Sequence, residues 1–510
     1  MNPVQPRTVP DLWVNNLVKF PRKTAAIYEG AAWTYQQAEK FVEACRAGLA
    51  RRFGVKQGDK VVMAMPNCFE FFVAYWATIK LGGVVVPVNI RLRPEGMTHV
   101  IGNSDARVLI VHKENWPVVK DALRACPNIK HVVSVGFQEE GSTRWEDLLS
   151  AAEAPPPIPA IQPEDLVIIM HTSGTTGVPK GAMMRHADIL FNIRQAIIAQ
   201  SFRHEDINLL YVPMFHCTAL YTMLPLCAYL GSTVVIAPRP DIRELVDLVE
   251  KHRVTTFLGV PTLFYFLTTL SLEKRDLKSL RLIAYAGSPM PPQTIRRLRE
   301  KFPTVALHNF FGLTETISMT HVLPSQDATV HPDSIGKLLP EVFDRIVDEN
   351  GNDVKPGEVG ELCFHRSNVV TGYWKRPDLL PQAMIGDWFR TGDLATKDAD
   401  GYVYLKGRRK DMIIVGGENV YALEVENVIL SHPKVLEVAV VGIEATGIRA
   451  YLGELVKAVV VPKPGEKLTD LEIKKHCAGR LTSYQMPQAV EFREKLPRNP
   501  AGKVLKQELK

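Results

Sequence analysis

The sequence predicts a multidomain α/β protein, and three observations lead to this fold class. A chain of 510 residues is longer than one hydrophobic core usually organises. Helix-like and strand-like patterns alternate through the first four hundred residues, which is typical of layered α/β architecture. The last hundred residues have a separate pattern of strands and helices, typical of a compact α+β domain.

The first elements in chain order predict a layered α/β subdomain. Helical periodicity is found in "TYQQAEKFVEACRAGLARRF" and "CFEFFVAYWATIKLGG", and strands are predicted in "KVVMAMP" and "VVVPVN". The proline-rich stretch at residues 153–165, "EAPPPIPAIQPED", can continue neither a helix nor a central strand. It is therefore predicted to be a loop between two subdomains.

The remaining elements predict a second α/β subdomain, a β-rich subdomain and a C-terminal domain. Short β-like runs separated by Gly, Asn and Pro occupy "FDRIVDENGNDVKPGEVGELCFHR". Near the C-terminus, "NVYALEVENVIL" is helix-like, "VLEVAVVG" and "LVKAVVVP" are strand-like, and Thr469 with Glu472 forms a capping box before "DLEIKKHCAGRL". We predict subdomains at about 1–165, 166–325 and 326–409 within an N-terminal domain 1–409, followed by a C-terminal domain 410–510.

Composition excludes several classes of function. The net charge of +6 is spread along the chain without a basic block, which argues against nucleic-acid binding. The seven cysteines are scattered without a CxxC pair, which indicates reduced thiols and a cytoplasmic protein. The N-terminus lacks the apolar core of a signal peptide. The longest apolar stretch, residues 211–236, is interrupted by prolines and a histidine, so a buried core is favoured over a membrane span.

A glycine-rich segment at residues 171–183, "HTSGTTGVPKGAM", follows the apolar run "LVIIM". It is not a P-loop, which requires GxxxxGK followed by Ser or Thr, because Lys180 lies between Pro179 and Gly181. Its chemistry still suits phosphate, since glycines let backbone amides approach an anion and the lysine adds positive charge. The segment alone leaves phosphate binding and a flexible surface turn open as alternatives.

Four further motifs resolve this ambiguity. They are "HNFFGLTETIS", "GELCFHRSNVVTGYW", "WFRTGDLATKDADGYVYLKGRRKDMIIVGGENVYALEVE" and "LPRNPAGKVLKQEL", and they occur in this order along the chain. Together with TSGTTGVPKG, they resemble the adenylate-forming superfamily of acyl-CoA synthetases, peptide-synthetase adenylation domains and luciferase-like enzymes, over roughly residues 20–510. The resemblance implies that ATP and Mg²⁺ activate a carboxylic acid to an acyl-adenylate with release of pyrophosphate, and that CoA then displaces AMP.

The resemblance also implies roles for particular residues. Thr314 would contact phosphate, Glu315 would hold Mg²⁺, and Asp393 would accept hydrogen bonds from the ribose hydroxyls. Three positions depart from the family pattern: His171 replaces a tyrosine or phenylalanine, Phe311 replaces the tyrosine that stacks on adenine, and Ala422 replaces a proline. The residues assigned to ATP and AMP are Thr172, Ser173, Gly174, Thr175, Thr176, Gly177, Lys180, Gly287, Ser288, Asn309, Phe310, Phe311, Gly312, Thr314, Asp393, Arg408 and Lys503.

Further assignments concern catalysis and domain movement. Lys503 matches the family lysine that bridges the carboxylate and the α-phosphate, and Lys410 matches the hinge about which the mobile C-terminal domain swings. Gly416 and Gly417 would line the tunnel for CoA. By its position in the family pattern, His216 would lie between the acid and nucleotide sites. A nucleophilic pair of His216 with its neighbour Cys217 is disfavoured, because side chains adjacent in sequence rarely face each other in catalytic pairs.

The acyl pocket is assigned by family position to Phe215, His216, Thr218, Thr222, Phe310, Ile317 and Met319. Many relatives with large acyl groups have glycine at the place of Phe310, so we expect a short- to medium-chain or compact cyclic acid. The function that the sequence favours is an acyl-CoA synthetase acting on a carboxylic acid, ATP and CoA. A stand-alone ligase that loads a carrier protein and a non-catalytic nucleotide-binding protein are the alternatives, and a homodimer is left open.

Overall fold

The computed structural model describes residues 4–150, 153–172, 179–288, 290–498 and 503–510, and it has the predicted multidomain α/β character. The α-helices are Val9–Lys19, Tyr35–Ala47, Phe69–Lys80, Pro94–Asn103, Trp116–Leu123, Trp145–Leu149, His186–Gln200, Leu224–Leu230, Ile242–His252, Pro261–Thr269, Pro292–Lys301, Leu379–Gln382, Ala422–Leu430 and Asp470–Cys477. Single turns of π-helix at Gly48–Arg52 and Thr218–Met223 extend or precede two of these helices.

A seven-stranded sheet forms the first layer. Its strands, in spatial order, are Thr143–Arg144, His131–Val135, Val108–His112, Lys60–Ala64, Val84–Pro87, Leu166–Thr172 and Lys180–Arg185. All neighbours are parallel except the last two, which form an antiparallel pair. The inner strands are buried and rich in valine and isoleucine, as expected for a parallel sheet covered on both faces.

A nine-stranded sheet forms the second layer. Its spatial order is Lys337–Leu338, His321–Leu323, Ala306–Phe311, Leu282–Tyr285, Thr256–Gly259, Ile207–Leu210, Thr233–Ile236, Thr24–Tyr28 and Ala31–Thr34. The sheets do not follow the subdomain boundary predicted near residue 165. Strands from residues 166–185 complete the first sheet, and the N-terminal hairpin of residues 24–34 joins the second.

The β-rich segment and the C-terminal segment form smaller sheets. Strands Asp344–Val347, Gly360–His365, Trp388–Lys397, Met384–Ile385 and Val403–Arg408 build one sheet, Ile413–Val415 and Glu418–Val420 a ribbon, and Val435–Glu444, Glu454–Pro462 and Ala489–Phe492 a third sheet. The capping box of Thr469 and Glu472 is confirmed. The helix predicted in "NVYALEVENVIL" begins only at Ala422, because the residues before it pair in the ribbon. The domain boundary at 409/410 stays a prediction.

The proline-rich residues 153–165 contain neither helix nor strand, as predicted. Residues 211–236 fold into a π-helical turn, a short helix and a strand inside the core, with most side chains buried. None of the helices in the described ranges combines the length and the apolarity that a membrane crossing needs.

Candidate functional site

The glycine-rich segment connects two antiparallel strands. Thr172 ends one strand, Lys180 begins the next, and the two residues face each other in the ladder. The predicted phosphate-loop residues between them lie outside the described residues, namely Ser173, Gly174, Thr175, Thr176 and Gly177. The described ends nevertheless fix where the segment leaves and re-enters the seven-stranded sheet.

His171, which departs from the family pattern, is held as a neutral side chain. It faces Gly181 across the ladder, and a Cβ built on Gly181 would lie 3.1 Å from His171 Nε2. Burial, with a smaller contribution from His99, lowers the pKa of His171 to about 3. The imidazole therefore acts as a flat, uncharged ring packed over a glycine, which is a role that an aromatic residue also performs.

The "FFGLTETIS" motif folds back on itself directly after the strand Ala306–Phe311. A Cβ on Gly312 would lie only 1.3 Å from the carbonyl oxygen of Ser318, so no other residue fits this position. Ile317 has a φ of 60° and Ser318 a φ of 84°, and a β-branched residue in the left-handed region is strained. Hydrogen bonds from Ser318 N to Leu313 O (3.0 Å) and from Leu313 N to Thr316 Oγ1 (2.9 Å) close the turn.

This turn presents Glu315 to the end of the strand that contains Thr172. Thr172 Oγ1 donates to Glu315 Oε1 over 3.2 Å, and Tyr373 OH donates to the same oxygen over 3.3 Å. Among the described residues, no hydrogen bond reaches Oε2 of Glu315, and this oxygen suits a hard cation that also binds phosphate. No cluster of three potential metal ligands exists in the described ranges, but a cation shared with phosphate oxygens does not require one.

The two phenylalanines assigned to the site, Phe310 and Phe311, are neighbours at the end of the strand Ala306–Phe311 and face opposite sides of it. Successive side chains of a strand point to opposite faces. Phe310 is 8% exposed and belongs to the main core cluster, whereas Phe311 is half-buried and meets the ring of His321 edge-on. Asn309 donates from Nδ2 to the carbonyl of Ser334 over 3.1 Å, so its amide also braces the neighbouring segment.

Asp393 and Arg408 face each other on adjacent strands and form an ion pair, with Arg408 Nε 2.6 Å from Asp393 Oδ1. Asp393 Oδ2 is buried and has no hydrogen-bond partner among the described residues, which leaves an acceptor for a ligand hydroxyl. Burial raises the pKa of Asp393, and Arg408 and Lys503 oppose this effect.

Glu361, which was not assigned from the sequence, holds the turn that comes just before Asp393. It is 3% exposed, receives the guanidinium of Arg390 on Oε2, and accepts from the backbone N of Gly392 over 2.9 Å on Oε1. It thereby fixes the "RTGD" turn immediately before Asp393. The only sequence signal was its place at the start of the motif "GELCFHRSNVVTGYW".

Lys503, seven residues from the end of the chain, lies near Arg408, Asp393 and Glu315. Lys503 is exposed to solvent, but the protein atoms packed around it lower its pKa, first by partial desolvation and then through the charge of Arg408. Glu315 and Asp393 act in the opposite direction. Lys503 is thus brought near both carboxylates.

Gly287 and Ser288, which were assigned to the nucleotide, form an exposed bend after the strand Leu282–Tyr285, and Gly287 has a φ of 89°.

The side chains of His216 and Cys217 meet although the residues are adjacent in sequence, and the absence of a nucleophilic pair stays a prediction. Cys217 Sγ lies 3.6 Å from His216 Nδ1 and also accepts from Thr314 Oγ1 over 3.6 Å. Burial alone would raise the pKa of Cys217, but His216 and Thr314 lower it below its usual value. Cys217 in turn raises the pKa of His216. The contact links the histidine to the turn that contains Glu315.

The predicted acyl-pocket residues come from two segments that pack together. Phe215, His216, Thr218 and Thr222 belong to the turn and π-helix before Leu224–Leu230, and Phe310, Ile317 and Met319 to the strand and turn around "FFGLTETIS". Asn192, which sequence reasoning missed, ties them together. It donates to Thr222 Oγ1 over 2.9 Å and accepts from Met319 N over 3.4 Å. No sequence pattern marks a buried asparagine in mid-helix.

The residues assigned to the CoA step lie in exposed turns. Gly416 and Gly417 have φ values of 62° and 89° at the tip of the ribbon Ile413–Val420, and Gly416 N donates to Leu452 O over 2.7 Å. Lys410 is in the single 3₁₀ turn Arg409–Asp411, directly after the β-rich sheet ends at Arg408. Lys503 lies near Arg408 and Asp393, which are assigned to the nucleotide, while the two glycines face solvent.

Comparisons with known proteins identify the family of this chain. The AMP-binding enzyme family matches residues 14–374, and the AMP-binding enzyme C-terminal domain matches residues 424–503. A long-chain-fatty-acid–CoA ligase of Escherichia coli O157:H7 is 31% identical over 100% of this chain and 95% of its own length. A feruloyl-CoA synthase of an Amycolatopsis species is 34% identical over 96% of both chains.

A solved structure extends the likeness to the whole fold. The anthranilate CoA ligase AuaEII in complex with anthranoyl-AMP has a TM-score of 0.91 and 25% identity, covering 100% of this chain and 97% of that one. These findings confirm the predicted superfamily, the α/β fold, the class of AMP-forming acid–CoA ligase and the use of ATP, Mg²⁺ and CoA. The chain belongs to the AMP-binding enzyme family.

Proposed function

We propose that this enzyme activates a short- to medium-chain or compact cyclic carboxylic acid with ATP and transfers the acyl group to CoA. The observation that carries the proposal is that residues from distant parts of the chain come together. Thr172 bonds to Glu315, Asp393 pairs with Arg408, and Lys503 lies close enough to Glu315, Asp393 and Arg408 for their charges to shift its pKa. Two anions have to approach each other in the first step, and this group of residues gathers cations and hydrogen-bond donors that could stabilise them.

Each residue has a defined task in the first half-reaction. The substrate carboxylate attacks the α-phosphorus of ATP, and pyrophosphate leaves. Lys503 bridges the carboxylate and the α-phosphate, which disperses negative charge as it develops. Asp393 accepts from the ribose through its buried Oδ2, and Arg408 holds Asp393 in place. Bound Mg²⁺ would neutralise phosphate charge, and Glu315 is the residue that would hold it.

The second half-reaction transfers the acyl group to sulfur. The CoA thiol attacks the carbonyl carbon of the acyl-adenylate, and AMP leaves. We propose that the C-terminal domain turns about Lys410 for this step, so that Gly416 and Gly417 replace Lys503 at the site. The exposure of both glycines while Lys503 lies with the nucleotide residues supports this order of events.

The acid preference rests on Phe310. Its ring is 8% exposed and packs in the same core cluster as Ile317 and Met319, each 2% exposed. A phenyl ring held this tightly shortens the space available for an acyl chain. The relatives named above act on acids of both kinds by name, long-chain fatty acids and feruloyl groups, so they do not decide the preference.

The test is an AMP-release assay with ATP and CoA over acids graded by chain length and ring type. We expect activity to peak on short to medium or cyclic acids, and a peak on long-chain acids would overturn the preference. AMP release that requires a carrier protein instead of CoA would favour the carrier-loading alternative. No acid-dependent AMP release with any acceptor would favour the non-catalytic alternative.

The variant Lys503→Ala tests the role of this lysine in the first half-reaction. Loss of one well-placed donor to a developing charge costs about 3 kcal/mol, or roughly a hundred-fold in acid-dependent pyrophosphate exchange. Thioester formation from supplied acyl-adenylate should be largely spared. Lys510→Ala, at the exposed C-terminus of the same segment, is the control and should behave as the unmodified enzyme. Normal pyrophosphate exchange in Lys503→Ala would contradict the assigned role.

Cellular location and assembly stay predictions. All seven cysteines are free thiols, which supports a reducing, cytoplasmic environment. A homodimer is one possible assembly, and the mass of the protein in solution would test it.

A further inference from the structure

The end of the motif "GELCFHRSNVVTGYW" lies against the strand that follows the glycine-rich segment. Tyr373 forms a bridge with Ala182, Met183 N donates to Gly372 O over 3.0 Å, and Trp374 N donates to Gly181 O over 2.7 Å. Backbone contacts on both sides of Tyr373 thus fix where its side chain can point.

The Tyr373 side chain contacts two of the residues assigned to Mg²⁺ and ATP. Its hydroxyl donates to Glu315 Oε1 over 3.3 Å, and its ring centroid lies 5.9 Å from Lys180 Nζ. The residue is 7% exposed. A second backbone link joins the same segment to the motif turn, since Val370 N donates to Glu315 O over 2.9 Å.

We propose that Tyr373 is a positioning residue for Mg²⁺ and ATP, a role that no sequence pattern assigned to it. Its hydroxyl and that of Thr172 both donate to Oε1 of Glu315, which orients the carboxylate so that Oε2 is presented to the cation. Its ring holds the Lys180 ammonium by a cation–π contact near the end of the glycine-rich segment. This inference rests on the proposed function of the site.

Two substitutions separate the two contacts. Tyr373→Phe removes only the hydroxyl and keeps the ring beneath Lys180. Tyr373→Leu removes both, and it should add a rise in the KM for ATP to the metal defect. Tyr404→Phe is the matched control, because Tyr404 OH also donates to a carboxylate, Asp398 Oδ2, over 3.1 Å but lies outside the site.

The first measurement is the dependence of acid-dependent pyrophosphate exchange on free Mg²⁺ at saturating ATP and acid. A hydrogen bond to a charged group supports about a ten-fold effect. We expect the half-saturating Mg²⁺ concentration of Tyr373→Phe to rise by about this factor, with the KM values for acid and CoA unchanged. Tyr404→Phe should match the unmodified enzyme.

The second measurement does not depend on turnover. Mn²⁺ titrated into the protein with ATP and followed by electron paramagnetic resonance reports the affinity of the metal site. Tyr373→Phe should bind Mn²⁺ about ten-fold more weakly in the presence of ATP, because Glu315 has lost one of its two donors.

Equal metal dependence in Tyr373→Phe and Tyr404→Phe would overturn the proposal. A uniform loss of all steps, with a fall in melting temperature and no change in metal affinity, would also overturn it, since it would indicate a merely structural role. Failure of the proposed function has a different signature. The unmodified protein would then show no acid-dependent exchange at any Mg²⁺ concentration, whatever the Mn²⁺ titrations of the variants show.

Discussion

Asp393→Asn tests the ribose assignment with a minimal change. The carboxylate uses Oδ1 for Arg408 Nε at 2.6 Å and keeps Oδ2 buried, without a hydrogen-bond partner among the described residues. Asparagine keeps one oxygen and replaces the other by an NH₂ group. If the oxygen stays with Arg408, an NH₂ donor faces the ribose hydroxyls, which are then poorer partners.

The magnitude follows from the geometry. Hydrogen bonds to a charged group contribute about 1.5–3 kcal/mol, so loss of one should weaken ATP and AMP binding by roughly ten- to a hundred-fold. The cost to folding should be smaller. The Arg408 side chain is 32% exposed, so solvent screens the ion pair and its loss should cost about 1 kcal/mol.

Calorimetric titration with AMP and with its 2′,3′-dideoxy analogue is the decisive assay. The unmodified enzyme should bind the dideoxy analogue much more weakly than AMP, whereas Asp393→Asn should bind the two with similar affinity. Asp353→Asn is the control, because Arg345 Nε lies 2.6 Å from Asp353 Oδ1 in a pair outside the site. If Asp393→Asn still distinguished the two ligands as well as the unmodified enzyme does, the ribose assignment would be refuted.

Two further predictions concern the hinge and the response to acid. Lys410→Pro, in the turn Arg409–Asp411, fixes φ and should slow thioester formation more than pyrophosphate exchange; equal loss of both half-reactions would contradict the hinge assignment. Burial lowers the pKa of His186 from 6.5 to about 4, and its Nδ1 accepts from Val9 N over 3.2 Å. The unfolded chain therefore binds more protons between pH 6.5 and 4, and stability should fall by about 3 kcal/mol as the pH is lowered through this window. Urea unfolding of His186→Gln should lack this part of the loss, whereas parallel pH curves for both proteins would disprove it.

The fold class could be predicted because it depends on local periodicity. The alternating helices and strands, the proline-rich loop and the capping box are all encoded within short stretches. The sheet that a strand joins depends on pairing between distant segments, and this pairing could not be predicted from the sequence. Nothing near the strand Thr24–Tyr28 indicates that it pairs with the strand Thr233–Ile236, about two hundred residues away.

The site shows the same division between local and distant information. The motifs were enough to name Glu315, Asp393 and Lys503, because each motif contains its own chemical group. They were not enough to name Glu361 or Asn192, whose tasks are to hold other side chains. A supporting residue can be recognised only when its partner's position is known, and that position is a product of the tertiary fold.

The motif "GELCFHRSNVVTGYW", in which the sequence assigned no site residue, contacts two parts of the site. Its first part contains Glu361, which fixes the turn before Asp393 through the backbone N of Gly392. Its last part contains Tyr373, which donates to Glu315. Because the same short stretch contacts both the turn before Asp393 and the carboxylate of Glu315, we expect a shift of this stretch to displace both together. This segment therefore contributes hydrogen bonds to both parts of the site, through Glu361 at one end and Tyr373 at the other.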